Sequence, residues 1–163
     1  MITQERLKEL LDYDSSTGIF VWRKSRQCVS VGSIAGTIYN SYIRIVVDGK
    51  SYRAHRLAWL WVHGESPVNE IDHINGVCSD NRIDNLRLAT RKQNNENNKL
   101  RTDNSSGYRG VHFLKGRDKW QARISHHNRR ISLGVFDTAE EAAIAAKAAR
   151  EQLFTHDHGR DAA

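Results

Sequence analysis

Asp72 and His73 are neighbours, Asn85 follows in the same polar stretch, and Asn94 closes it. On an extended backbone adjacent side chains point to opposite sides, so Asp72 and His73 can divide a task. A neutral imidazole, with an ordinary pKa of about 6.5, can take a proton from water. A carboxylate suits a hard divalent cation such as Mg2+ or Mn2+, which prefers a few oxygen ligands and keeps water elsewhere. The Asn94 amide carbonyl is a second oxygen donor of that kind. An activated water and relief of charge on a departing oxygen are what phosphodiester hydrolysis needs. Asn85 suits a different task, because its amide donates and accepts at once and can clip a loop that holds His73. Arg82 and Arg87 stand where they could neutralise a phosphate or the local acids.

These residues require strand, loop, strand and helix in that order. Ile71 reads as a strand end carrying Asp72 and His73, and Leu86-Arg87-Leu88 alternates like a second strand. Thr90 can cap the helix that carries Asn94. Upstream, Thr3 can cap a short helix with Leu7, Leu10 and Leu11 on one face. Gly18 breaks the chain before a strand at 19–22. Residues 33–38 and 42–47 read as strands, and Asp48-Gly49 before 50–54 is a hairpin signal. HRLAWLWVH (55–63) is apolar almost all round and reads as a buried helix, ended by Gly64 and Pro67. Within it, His55 reads as a capping or otherwise satisfied histidine rather than as support for catalysis.

The stretch 71–98 resembles the HNH endonucleases, in the His-Asn-Asn form found among phage and intron homing endonucleases. The resemblance rests on Asp72-His73, on Asp80-Asn81-Arg82-Ile83-Asp84-Asn85-Leu86, and on Asn94. It implies a ββα-metal (His-Me finger) module with one bound divalent metal, Mg2+ or Mn2+. It also implies Asp72 and Asn94 as ligands, His73 as general base, Asn85 as the loop-holding residue, and products with 5′-phosphate and 3′-hydroxyl ends. The last position is often histidine in that family and is asparagine here, within a run that includes Asn95, Asn97 and Asn98.

The C-terminal part has three strand-like runs, 108–114, 119–125 and 129–135, followed by an Ala-rich helix opened by the Thr138/Glu141 capping box. Alternation puts Val111 with Phe113, Trp120 with Ala122 and Ile124, and Ile131 with Leu133 and Val135 on faces that can pack on that helix. The opposite face then carries His112, Lys119, Gln121, Arg123 and Arg130. From Gly107 to Val135 the basic residues Arg109, Lys115, Arg117, Lys119, Arg123, Arg129 and Arg130 meet only Asp118. A basic antiparallel ribbon fits the DNA major groove. Residues 105–149 resemble the APETALA-type (ethylene-response-factor) DNA-binding domain. The resemblance is carried by Tyr108-Arg109-Gly110-Val111, Trp120-x-Ala122-x-Ile124, Leu133-Gly134-x-Phe136 and Thr138-Ala139-Glu140-Glu141-Ala142-Ala143. It implies DNA contacts by Arg109, His112 and Arg130, and Arg123 and Lys119 lie on the same basic ribbon. Ser125 and Ser132 depart from that family's usual arginine and tryptophan, so a target sequence cannot be inherited from it.

The whole chain of 163 residues carries 25 Lys and Arg against 19 Asp and Glu, a formal +6, which favours a polyanionic partner. Two cysteines, Cys28 and Cys78, exclude a disulfide scaffold and a Cys-rich zinc site. No apolar run is long enough for a membrane span, and the N-terminus lacks a signal-peptide core. The expectation is an α+β protein in four parts. They are a nuclease module at 1–99 (helix and hairpins 1–68, ββα-metal motif 69–99), a linker at 100–106, a DNA-binding domain at 107–154 and a tail at 155–163. Its expected function is metal-dependent cleavage of double-stranded DNA, as a monomer or DNA-assembled dimer, inside the host cytoplasm and encoded by a phage. The rival reading is a DNA-binding regulator whose nuclease half has decayed.

Overall fold

Thr3 caps α1 (Gln4–Leu10), its hydroxyl accepting the Arg6 N–H at 3.2 Å. The helix stops one residue short of the expected apolar face, and buried Leu11 opens β1 (Leu11–Asp14). β1 pairs antiparallel with β2 (Ile19–Trp22). The computed structural model describes residues 2–25, 28–97, 100, 103–127 and 129–157. Contacts divide the chain into two units, residues 1–91 and 92–163.

In the first unit β3 (Thr37–Tyr39), β4 (Tyr42–Val47) and β5 (Lys50–Arg53) form an antiparallel sheet in that order. The strand expected at 33–38 does not form. Ile34 makes only an isolated bridge to Val21, and Gly36, at φ 109°, breaks the extended run before pairing begins at Thr37. Asp48 and Gly49 both take positive φ, as a two-residue hairpin turn requires. α2 (Ala54–His63) buries Ala54, His55, Leu57, Ala58 and Leu60. It is not buried all round, since only one face meets the core and Val62 stays 43 % exposed. Gly64 ends it in the left-handed region at φ 78°.

β6 (Glu70–His73) pairs antiparallel with β7 (Leu86–Ala89), setting Asp72 opposite Arg87 and His73 opposite Leu86. A 3-10 turn at Ile83–Asn85 leads into β7. Ile71 and Leu86 join one core with Leu7, Leu11, Phe20, Trp22, Ile45, Val47 and Leu57. The hairpin that ends in His73 is therefore anchored on α2 and on the preceding strands.

α3 (Arg91–Glu96) follows β7, and all but its first residue falls in the second unit. Its bonds explain this. The Glu96 carboxylate accepts the Thr155 N–H at 3.0 Å and the His156 N–H at 3.3 Å. Arg109 donates to the Asn95 and Glu96 carbonyls at 3.1 and 2.8 Å. The tail expected at 155–163 thus has a bonded beginning, and its residues 158–163 lie outside the described ones, as do 101–102 of the expected linker.

The rest of the second unit is a three-stranded antiparallel sheet, β8 (Val111–Leu114), β9 (Lys119–His126) and β10 (Arg129–Phe136), with β9 in the middle. It packs on α4 (Ala139–Leu153) through Val111, Ala122, Ala142 and Ala146, with Trp120, Leu133 and Phe136 alongside. The capping box at Thr138 and Glu141 opens α4. The alternation expected along β10 fails in one place. The pairing register shifts between Ser132 and Gly134, so Leu133 and Phe136 pack toward the helix while Val135 is 40 % exposed. Phe113 is likewise 41 % exposed and leans on Trp120 at 4.9 Å between ring centres. Among the described residues no helix is long and apolar enough to cross a membrane.

Candidate active site and nucleic-acid face

His73 is 4 % exposed at the end of β6. Its Nε2 lies 3.4 Å from Asn81 Oδ1. An amide oxygen only accepts, so this contact selects the tautomer with the proton on Nε2 and the lone pair on Nδ1. Asn81 is held from three sides. It is 1 % exposed, its Nδ2 donates to the Ser79 carbonyl at 3.2 Å, and its own carbonyl accepts the Tyr13 hydroxyl at 2.7 Å. Behind it the β1–β2 turn presses directly on backbone. A Cβ on Gly18, whose φ is +73°, would lie 2.4 Å from the Arg82 nitrogen.

Asn85 closes the loop between the strands. Its Oδ1 accepts the Asn75 N–H at 2.9 Å, its Nδ2 donates to the Asp80 carbonyl at 2.8 Å, and its own carbonyl accepts the Ile74 N–H at 2.9 Å. Arg82 grips Asp80 with two bonds of 2.9 and 2.6 Å, and Asn75 adds one of 2.7 Å. The Arg82 bond is the main reason the Asp80 carboxyl is held down to about 2. Asp72, 4 % exposed, receives both Nε and Nη2 of Arg87 on Oδ2, at 2.9 and 2.7 Å. Both arginines therefore bond local acids, although the Arg82 side chain keeps 51 % exposure.

Asn81 has no role among the expectations from the sequence, and His55 is there a satisfied histidine. His55 sits in the first turn of α2 at 5 % exposure, and its Nδ1 is buried without a hydrogen-bond partner. Its ring centre lies 5.0 Å from that of His73, with the planes at 89°. Tyr42 completes the group, 5.4 Å from His55 and 6.0 Å from His73. Burial, and then a hydrogen bond with Cys78 of the loop, push the Tyr42 hydroxyl up. A signal existed for Asn81, which stands inside the string that carries the resemblance. For Tyr42, far off in sequence, there was none.

Asn94 is half-buried on α3. Asn95 is exposed and Asn97 buried, while Asn98 lies outside the described residues. Among the described residues no group of three or more His, Cys, Asp or Glu side chains converges as metal ligands. A set of one carboxylate and one amide oxygen would not form such a group. A carboxylate and an amide carbonyl are each an oxygen donor of the type a hard divalent cation takes.

In the second unit, pairing sets His112 opposite Gln121, Arg123 opposite Ser132, and Arg130 opposite Ser125, on the face away from α4. His112 is pushed below its ordinary value by burial first and then by the charges of Arg123 and Arg130 on the same face. Lys119 bonds Asp137, which offsets its charge. Arg109 turns the other way. β8 begins only at Val111, and before it Gly110 (φ +81°) accepts the Arg123 N–H on its carbonyl at 2.8 Å, with no room for a Cβ. The Arg109 guanidinium bonds the end of α3, lies 3.6 Å from Asp157, and sits 5.8 Å above the Phe154 ring. Arg150 donates to the Arg109 carbonyl at 3.0 Å.

Residues 52–96 match the family model for HNH endonuclease, and residues 106–156 match that for the AP2 domain. Protein 3.8 of Escherichia phage T7 is 32 % identical over 103 residues, which span 63 % of this chain and 85 % of that protein. No solved structure matches. HNH nucleases generally use a divalent metal ion. Together the two matches describe a DNA nuclease or a DNA-binding protein. Since both models fall in chain order and the phage relative is covered over most of its length, this chain belongs to the HNH endonuclease family and carries an AP2 domain behind its HNH motif.

Proposed function

We propose that the protein is a metal-dependent endonuclease of the homing type that hydrolyses phosphodiester bonds in duplex DNA, leaving 5′-phosphate and 3′-hydroxyl ends. The observation that carries this reading is the pairing of a buried imidazole, its Nε2 turned to Asn81, with a buried carboxylate beside it in sequence. His73 is the general base and takes the proton from the attacking water on the nitrogen that does not face Asn81. Asn85 keeps the loop closed so that Asn81 stays in reach. Asp72 and Asn94 are the residues that would hold Mg2+ or Mn2+. That cation, when bound, relieves charge on the scissile phosphate and the leaving oxygen.

His112, Arg123 and Arg130 form the face that docks on DNA, with Lys119 at its edge. Arg109 supports that face from behind through its bonds to α3 and its neighbour's link to Arg123. Arg82 and Arg87 serve Asp80 and Asp72, and the half-exposed Arg82 is the one of the two that keeps surface for a phosphate.

A plasmid-nicking assay with Mg2+ tests the reading. The wild-type chain is expected to cut, and His73→Ala to cut roughly 100-fold more slowly or worse, the usual loss for a missing general base. A DNA-binding regulator without cleavage is the second reading, and one observation favours it: Arg87 takes up Asp72 Oδ2 with two bonds. Tight binding with no nicking by either protein would establish that reading instead.

A further inference from the structure

The Nδ1 of His55 is buried and has no hydrogen-bond partner, so α2 does not hold this ring for the sake of a bond. What the ring offers is shape. It meets the His73 imidazole edge to face at 5.0 Å, and Tyr42 packs on both rings at 5.4 and 6.0 Å. Separations of this size and tilted planes are the arrangement aromatic rings prefer. The torsion that sets an imidazole plane is broad and has little preference of its own. The bond from His73 to Asn81 is long, at 3.4 Å, and restrains that torsion weakly.

We propose that His55 is a positioning residue for His73, its ring and that of Tyr42 fixing the plane in which the His73 imidazole meets the attacking water. The inference rests on the reading of His73 as the base. A positioning ring should also leave the neighbouring base free to become charged. Burial first, then the charges of His73, Arg53 and Arg56, push His55 down to about 3, so it stays neutral beside His73. Arg53 itself is drawn aside onto the Tyr42 ring, 4.3 Å from its centre.

The test is single-turnover cleavage of duplex DNA by the full chain with Mg2+, alongside DNA affinity by fluorescence anisotropy. The proteins compared are wild type, His73→Ala, His55→Gln and His55→Phe. His55→Gln keeps a polar group of similar reach without a ring, and its rate should fall roughly 10-fold or more with DNA affinity unchanged. His55→Phe restores a ring and should recover most of that loss. The proposal is overturned if His55→Gln cuts at the wild-type rate, if it loses affinity together with rate, or if His55→Phe is as slow as His55→Gln. Should circular dichroism show His55→Gln unfolded, Tyr42→Leu removes the second ring and Tyr42→Phe restores it, and the pair is read in the same way. If wild type itself does not cut, the assignment of His73 fails and the proposal falls with it. If wild type cuts and His73→Ala does not, an unaffected His55→Gln sinks the His55 proposal alone.

Discussion

Asn85 shows how much one side chain can hold. Its amide satisfies the Asn75 N–H and the Asp80 carbonyl at once, and both would be left in a half-buried loop without it. An unmade hydrogen bond in such a place costs more than a made one contributes. Asn85→Ala is therefore expected to lower stability by about 2–3 kcal/mol, measured by urea unfolding. Cleavage should fall as well, because the loop carries Asn81. Asn85→Asp keeps the acceptor for Asn75 but loses the donor to Asp80, so it should land between the two. Asp72 and Arg87 are a different case. Removing Arg87 leaves a buried carboxylate without its two-bonded partner, whereas Arg82 and Asp80 make a more exposed pair whose loss matters less.

The β1–β2 turn works as a buttress for the loop. Tyr13 and Gly18 both meet the Asn81–Arg82 backbone, the first by a hydrogen bond and the second by lacking a side chain. Gly18→Ala would need an unfavourable φ and would drive a methyl group into backbone that cannot yield as a side chain can. A loss of roughly 2–4 kcal/mol is expected, read as a lower melting temperature, with cleavage reduced beyond the loss of folded protein. An unchanged melting temperature would remove the turn from the account of the site. The sheet of the second unit gives a prediction of another kind. Arg123 and Arg130 lie on its outer face, whereas Arg109 is tied to α3 and Asp157. In DNA binding measured over a salt series, Arg123→Ala and Arg130→Ala should each flatten the slope by about 1. Arg109→Ala should leave the slope alone and lower thermal stability instead. The reverse pattern would return Arg109 to the DNA face.

At the scale of the molecule, stability should depend on pH through a group that no surface argument would select. His55 is ordinarily protonated near 6.5 when unfolded, and in the folded chain only at about 3. Between those values the unfolded chain binds a proton that the folded chain refuses. Stability therefore rises with pH across this window and is lost as pH falls from about 6.5 toward 3, by an amount on the order of 4 kcal/mol. The groups that act on His55 are His73, Arg53 and Arg56, with the Tyr42 ring beside it, and none is an acid that would offset the effect. Denaturant midpoints at several pH values should slope upward for the wild type and much less for His55→Phe. Equal slopes would mean that another buried group carries the acid sensitivity.

The order strand, loop, strand, helix, the capping box at Thr138 and Glu141, the hairpin at Asp48-Gly49 and the pairing of Asp72 with His73 were all legible in the sequence. They depend on periods, caps and turn residues that act over a few positions, and such preferences are written locally. Asn81 against His73 was half legible, since His73 ends the strand that leads into the loop carrying Asn81. The Tyr13 hydroxyl on the Asn81 carbonyl, the rings of Tyr42 and His55 around His73, and the inward turn of Arg109 were not legible. The failure of alternation along β10 belongs with them, because a bulge shifts the parity of every later side chain. These contacts join segments far apart in the chain, and no local preference encodes which distant side chain fills the space beside a given ring. Close packing of the folded core decides that, because each buried group must find neighbours that fill its surroundings.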